Sequence, residues 1–427
     1  MRSATLLAAV AAGSATVLVY ASSALAAVPH PDVVSEDPAR HTPHVASDAL
    51  VARPEVYTMA QAGDTMVAGG KFQTVESADR ATTYARSNLF TFSATTGELT
   101  DLAPDVDGSV WALATDGTSV YVGGQFQTVG GELRPTLAKI DATTGELDPS
   151  FNPPMKGGRV TELVLVNGRL LVGGSIQAKL VALDPVTGRN TGYLDLPITG
   201  KVPNSSGDTN VYKFAVNPAG TRLVGVGNFT AVDGLNRQRG FMLDLGETEA
   251  TLSDWYYKPL DKRCLSNTRT RQAYLEDVDF SPDGSYFVLV STGFVTYTKD
   301  EIGETLCDAA ARFETDIVDP DRPTWINYTG GDTIHAVAVT GAAVYVQGHF
   351  RWLDNPQGKD SKGPGAVDRL GIGAIDPTTG SALGWDPPKP ARRGGLDLLA
   401  TSKGLWVPSD SKRFGGKYHR GIAFCAL

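Results

Sequence analysis

Residues Val120 to Pro149 read VYVGGQFQTVGGELRPTLAKIDATTGELDP, and the fold turns on how this stretch is read. Its first part alternates apolar and polar residues around Tyr121 and Phe126, its second around Leu137 and Ile140, as half-buried strands do. Glycine pairs and Asp141-Ala142-Thr143-Thr144-Gly145 punctuate it. Both are expected as turns, because glycine supplies positive φ and a short Asp side chain bonds the backbone just beyond itself. The stretch reads strand, loop, strand, turn, with no His, Cys or hydroxyl poised for chemistry.

The same text recurs along the chain. TMVAGGKFQTV begins at Thr65, LLVGGSIQ at Leu170, LVGVGNFTAV at Leu223 and VYVQGHF at Val344. Asp-x-x-Thr-Gly returns at Asp184 and Asp376, with a weaker copy at Ser93. Each unit opens with a short apolar run, near residues 56, 110, 160, 211, 275, 334 and 396. Intervals of about 50 to 64 residues, with about four strands in each, indicate a β-propeller rather than a helical solenoid. The fold class expected is all-β, a seven-bladed β-propeller of four-stranded blades spanning 44–427. The last unit reaches Leu427 just after its third strand, so the residues from about His44 to Arg53 are expected to close the ring by pairing with the last blade.

Composition agrees with a repetitive all-β chain. Gly accounts for 47 of 427 residues and charged residues for only 20%. A net charge of −9 without a Lys/Arg run argues against nucleic acid as a partner, since phosphate binding needs clustered positive charge. Residues 1–26 read as a signal peptide: Met1-Arg2 precedes an Ala/Val/Leu-rich run, and Ala24-Leu25-Ala26 fits the small-x-small cleavage rule. A retained membrane anchor is the competing reading, but the Ala and Ser content makes a weak span. Residues 27–43 read as a flexible lead-in, and the mature chain as a secreted, extracellular monomer without a stable membrane anchor. Of the three cysteines, Cys264 and Cys307 flank the first strands of the fifth unit and are paired, with a bridge to Cys425 as the alternative.

Aligning the units shows where specificity can reside. The residue after the first apolar position of each innermost strand is Tyr57, Trp111, Thr161, Tyr212, Glu276, His335 and Asp397. Aromatics, a His and two carboxylates around one mouth suit a polar ligand with flat faces, such as a sugar. The plainer reading makes them wedges between neighbouring blades. A second position, seven before the Asp of Asp-x-x-Thr-Gly, is Arg86, Arg134, Arg237, Arg369 and Arg420, with Gln177 in the third unit. Its regularity predicts a guanidinium bonding backbone carbonyls, with an anion-binding ring as the alternative. A third position follows the glycine pair and varies: Lys71, Gln125, Ser175, Asn228, Gly293, His349 and Asp410. Longer loops at 76–88 and 351–371 add Trp352, beside Arg351, as a candidate contact.

Nothing reads as a nucleophile elbow, a His-Glu-x-x-His helix or a calcium loop. An enzyme reading, as a glycan hydrolase or lyase, would take Glu276 or Asp397 as acid and base beside His335. His335 and Asp397 alone do not make a metal site. Asp277 shares its repeat position with Lys213 and Glu162, which predicts a ladder of opposite charges across adjacent blades. No metal or cofactor is expected.

The glycine-pair-x-Phe motif, the Arg and Asp-x-x-Thr-Gly together resemble the secreted β-propeller repeats of a family of unknown function common in actinobacteria, the delta-sixty-type repeats. The resemblance covers roughly Arg53 to Leu427 and is weakest in the fifth unit, where STGF from Ser291 replaces the glycine pair. It implies a seven-bladed propeller on an exported protein and carries over no catalytic residue. Asp-x-x-Thr-Gly is also similar to the repeats of quinoprotein dehydrogenase propellers, whose motif continues to a docking Trp. Trp385 fits that place, but Pro149-Ser150-Phe151 does not, and no calcium or quinone ligands map. The expected function is non-enzymatic recognition of an extracellular glycan or cell-envelope protein.

Overall fold

Each apolar run becomes the innermost strand of an antiparallel meander. The computed structural model describes residues 28–155, 157–203, 205–262, 264–265, 270–271, 274–293, 304–390 and 394–427. The expected signal peptide lies outside them. The innermost strands are Glu55–Ala62, Ser109–Thr115, Val160–Val166, Asn210–Val216, Leu275–Phe280, Ile334–Val339 and Leu399–Thr401. Each pairs with the strand that follows it, and that one with a third. The first, fourth and fifth sheets have four strands. Single bridges, Ile140 to Leu147, Leu183 to Asn190 and Ile375 to Ala382, stand in for the fourth strand in the second, third and sixth.

The sheets follow one another in space as in sequence, innermost strand beside innermost strand, and Glu55–Ala62 of the first also touches Gly404–Pro408 of the seventh. The core lies in the seams between consecutive sheets. Val56, Phe92, Trp406 and Phe424 fill the seam between seventh and first, with Trp406 stacked on Phe424 at 4.4 Å between ring centroids. Ala112, Tyr121, Phe151, Val160 and Leu163 fill the next seam but one.

Among the described residues no strand ladder joins the first and last sheets, so the expected closure by His44 to Arg53 is not found as a paired strand, although the Val45 N–H donates to Arg420 O at 3.0 Å. His44–Ala46 pairs with Thr74–Glu76 of the first unit instead. Just beyond it, Asp48 Oδ1 accepts the N–H groups of Leu50 and Val51 at 2.8 and 2.7 Å, so the chain turns and no extended strand runs to Arg53. The seventh sheet's outer edge is met earlier in the chain: Ser35 N–H donates to Ala426 O at 2.7 Å and Ala39 N–H to Phe424 O at 2.8 Å. Pro38, between them, has no N–H to continue a ladder. Residues 28–43, expected as a flexible lead-in, are thus docked: Val34 is buried and its N–H donates to the Tyr345 hydroxyl at 2.9 Å. Apolar burial and these bonds hold in place a segment whose composition suggested a free tail.

Cys264 and Cys307 are bridged as expected, with Cα atoms 5.9 Å apart, and Cys425 is a buried free thiol. Among the described residues no helix is long and apolar enough to cross a membrane.

Candidate recognition face

Six of the seven innermost strands shift register at the same place: between Val56 and Thr58, Val110 and Ala112, Val160 and Glu162, Val211 and Lys213, Leu275 and Asp277, and Ile334 and Ala336. The residue inside each shift is Tyr57, Trp111, Thr161, Tyr212, Glu276 or His335. A β-bulge leaves one residue out of the ladder and re-aims its side chain. The candidate positions of six units are therefore one repeated backbone device.

The glycine pair explains how the bulge is tolerated. In VYVGGQF, Gly123 and Gly124 lie inside a strand and make no turn, contrary to expectation, whereas Gly130 and Gly131, at φ of 58° and 84°, do turn. A Cβ on Gly124 would lie 2.2 Å from the carbonyl oxygen of Ser109, which the bulged strand pushes towards it. A Cβ on Gly123 would lie 2.5 Å from Val160 Cγ1 of the next sheet. One glycine admits the bulge and the other admits the neighbouring sheet.

Around the mouth, the bulge side chains meet each other and two residues that the unit alignment overlooked. Tyr57 stacks on Trp111 with centroids 4.3 Å apart, and the Arg159 guanidinium lies 4.1 Å from the Trp111 ring. Tyr212 meets Tyr274 edge-on at 6.2 Å, and burial, reinforced by Glu276, pushes its phenol pKa up. Glu276 Oε2 lies 3.4 Å from His335 Nδ1, and the His335 ring lies 5.8 Å from that of His349, which is exposed. Arg159 and Tyr274 each stand two residues before a bulge, just ahead of the strands that begin at Val160 and Leu275; period-two spacing was the available signal. Thr161 is spent structurally, its hydroxyl donating to Val211 O at 2.9 Å. Trp352 sits beneath the Arg351 guanidinium at 4.3 Å, and Arg351 forks onto Asp332 at 2.7 and 3.1 Å. Lys71 is exposed at the end of its strand.

Asp397 takes a different place, in a central cavity of about 520 Å³ lined by all seven innermost segments, including Met59, Leu113, Val164, Val278, Val337 and Leu398. Its Oδ2 accepts the Met59 N–H of the adjoining sheet at 3.1 Å. Asp277 and Asp279 do the same one sheet on, accepting the N–H groups of Val337 at 3.0 Å and Val339 at 2.7 Å. Carboxylates thus satisfy backbone donors that face the cavity where neighbouring innermost strands do not pair. The expected charge ladder exists in part: Lys213 Nζ and Glu162 Oε2 are 2.6 Å apart, while Asp277 is committed to the backbone. Burial raises the pKa of Asp277 and pushes that of Asp279 up to about 7. Among the described residues, no three His, Cys, Asp or Glu side chains are grouped to hold a metal ion.

The recurring Arg is structural in most units. Arg86, Arg237 and Arg369 each donate to the carbonyl of the preceding residue and to a carbonyl at the sheet's outer edge, Thr100, Ser253 and Leu383. Arg134 donates to Leu133 O. Asp-x-x-Thr-Gly is a turn in which Asp141 Oδ1 accepts the Thr143 and Thr144 N–H groups at 2.8 Å, bonds that hold the carboxyl below its usual range. A Cβ on Gly145 would lie 1.9 Å from Leu102 O, so the turn abuts the preceding unit.

These features define an all-β protein of meander sheets in succession, with one bulge-bearing face. Residues 119–151, nearly the stretch quoted at the outset, match the family described as domain of unknown function (DUF5122) beta-propeller. The match covers one unit and supports a β-propeller repeat of unknown function. No curated protein matches the chain. Among solved structures, U3-55K is similar over 92% of this chain and 100% of its own, at 10% identity and a TM-score of 0.51. The WD40 beta propeller domain of Doa1 is similar over 90% and 95%, at 10% identity and a TM-score of 0.49. At this identity the likeness to U3-55K speaks to fold alone.

Proposed function

We propose that this chain is an exported, monomeric, non-enzymatic recognition protein. In this reading it is a seven-bladed propeller, clasped where residues 35–39 lie along the last sheet, and it binds an extracellular glycan or cell-envelope protein through its bulge-bearing face. The observation that carries the reading is the bulge itself. One backbone device recurs in six sheets, yet the side chain it presents changes from Tyr57 to Trp111, Tyr212, Glu276 and His335. Repetition of the scaffold with variation at one aimed position is how a rigid frame carries specificity. The signal-like N-terminus and the Cys264–Cys307 bridge favour an oxidising compartment.

The reading is tested by incubating the protein with a panel of soluble and insoluble polysaccharides and with envelope fractions, scoring retention and released reducing ends together. Trp111→Ala and Tyr212→Ala are expected to abolish retention while thermal unfolding stays cooperative. Joint loss of folding and retention would assign both residues to inter-sheet wedging. A glycan hydrolase is the second reading, favoured by the Glu276–His335 contact. It ranks lower because Asp397, its second carboxylate, is engaged with Met59 N–H in the cavity. Release of reducing ends that Glu276→Gln removes would reverse the order.

A further inference from the structure

The repeat Arg behaves differently in the seventh unit. Where Arg86, Arg237 and Arg369 reach a carbonyl at the outer edge of their own sheet, the described part of the seventh sheet stops at its third strand, Ile422–Ala426. Arg420 instead gives Nη2 to Ser47 Oγ at 2.5 Å, its one side-chain bond among the described residues. Its guanidinium lines a cleft of about 550 Å³ between the seventh and first units.

Arg53, Lys412 and Arg413 line the same cleft and are exposed. Neither Arg53 nor Lys412 makes a side-chain hydrogen bond or ion pair with the described residues, and Arg413 donates only to Gly416 O at 3.0 Å. Two carboxylates, Glu55 and Asp410, also line it; Asp410 Oδ1 accepts the Gly394 N–H at 3.2 Å. Lys389, next to the lining residue Pro390, is fully buried, and its Nζ has no hydrogen-bond partner among the described residues, with Asp410 as a nearby counter-charge. Among the described residues, four cations against two anions line this cleft, a local excess of positive charge on a chain of net charge −9. Such an excess attracts an anion in preference to a neutral ligand. Forked guanidiniums suit planar or tetrahedral oxyanions, and a volume of this size admits one or two sugar rings.

We propose that this cleft is an anion-recognising subsite that takes the carboxylate or sulfate of an acidic oligosaccharide, held by Arg53, Lys412, Arg413 and Arg420. The inference rests on the glycan reading above and gives it a ligand class. Glu55, which opens the first innermost strand, and Asp410, which follows the seventh sheet's second strand, put the cleft at the end of the sheets where Tyr57 projects. An acidic chain can therefore lie from the cleft towards the Tyr57–Trp111 stack.

Isothermal titration of the full chain with tri-galacturonate, a heparin-derived tetrasaccharide and neutral cellohexaose tests this. One or both acidic ligands should bind, and their relative affinity distinguishes a carboxylate from a sulfate. R53Q/K412Q, at two exposed positions, should weaken acidic binding by about tenfold or more, and about 0.5 M salt should do the same to the wild type. Failure of both acidic ligands to bind, or equal binding by R53Q/K412Q, overturns the subsite. Cellohexaose binding that W111A removes and R53Q/K412Q leaves intact would keep the mouth reading without the cleft. Acidic binding lost in R53Q/K412Q but unchanged in W111A would keep the cleft without the mouth.

Discussion

Gly124 stands opposite Val110 in the second sheet, where a Cβ would lie 2.2 Å from the carbonyl oxygen of Ser109, two residues before the bulge at Trp111. Backbone is on the far side of that contact, so the clash has no flexible side chain to absorb it. Gly124→Ala should cost about 1–3 kcal/mol by overpacking and displace Trp111. Urea denaturation measures the first effect and Trp fluorescence reports the second. An unchanged midpoint would mean that the bulge relaxes at no cost and that the glycine is incidental. Gly63, whose Cβ would meet nothing within 4 Å, is a control for turn strain alone, since its φ is 60°.

The Cys264–Cys307 bridge spans 43 residues and sits in a small cluster with Ala309 and Tyr328. Cross-linking a loop of this size restricts the unfolded chain and is typically worth about 2–4 kcal/mol. The double change of Cys264 and Cys307 to Ser should lower the unfolding free energy by that amount while Cys425, buried in another sheet, stays unreactive to thiol reagents in the native state. Labelling of Cys425 in the folded double variant would show that the bridge also holds the distant seventh sheet together.

Most of the sheet scaffold was legible in sequence because each unit repeats the same apolar spacing and turn chemistry. The bulge was also written there and was missed. Val56 and Met59, Val110 and Leu113, Val160 and Leu163, Val211 and Phe214, Leu275 and Val278, and Ile334 and Val337 are all buried pairs three apart. Strict alternation places core residues two or four apart, so a spacing of three marks one extra residue in the strand. The clasp at Ser35 and Ala39 was not legible, since isolated long-range bonds around Pro38 leave no period to detect. Asp397 was misgrouped with Glu276 because the seventh innermost strand begins at Leu399 and lacks the shared bulge register.

Asp279 accepts the Val339 N–H from across a seam, and burial lifts its pKa from 3.8 to about 7. A carboxyl whose folded pKa is raised binds its proton more tightly when folded. Its contribution is therefore full below about pH 4 and is lost as pH rises through about 7. Asp279→Asn removes the titration and keeps a side-chain acceptor for one N–H. The variant should gain on the wild type steadily between pH 4 and pH 7.5 in thermal unfolding. A difference between the two proteins that does not vary with pH would mean that Asp279 is ionised in the folded state throughout.

The histidines of the clasp run the opposite way. His44 lies with its ring 5.9 Å from that of His419 and 4.9 Å from Tyr418, and His419 Nδ1 meets Thr42 Oγ1 at 3.0 Å. Burial pushes both imidazoles down to about 4. Arg80 beside His44 and Lys417 beside His419 oppose protonation further, with Asp37 as a counter-charge to His419. Glu76 faces His44 across the ladder. A depressed pKa contributes stability that is full above about 6.5 and is lost as pH falls through about 4. Below that the two protonated rings repel each other in the seam where residues 35–39 are held. Exchange of the Ser35 and Ala39 amides should therefore accelerate between pH 6 and pH 4 ahead of amides in the innermost strands. His44→Phe combined with His419→Gln should blunt that acceleration without altering the Asp279 titration. Simultaneous exchange of clasp and strand amides in the wild type would place the acid-sensitive step in global unfolding instead of the clasp.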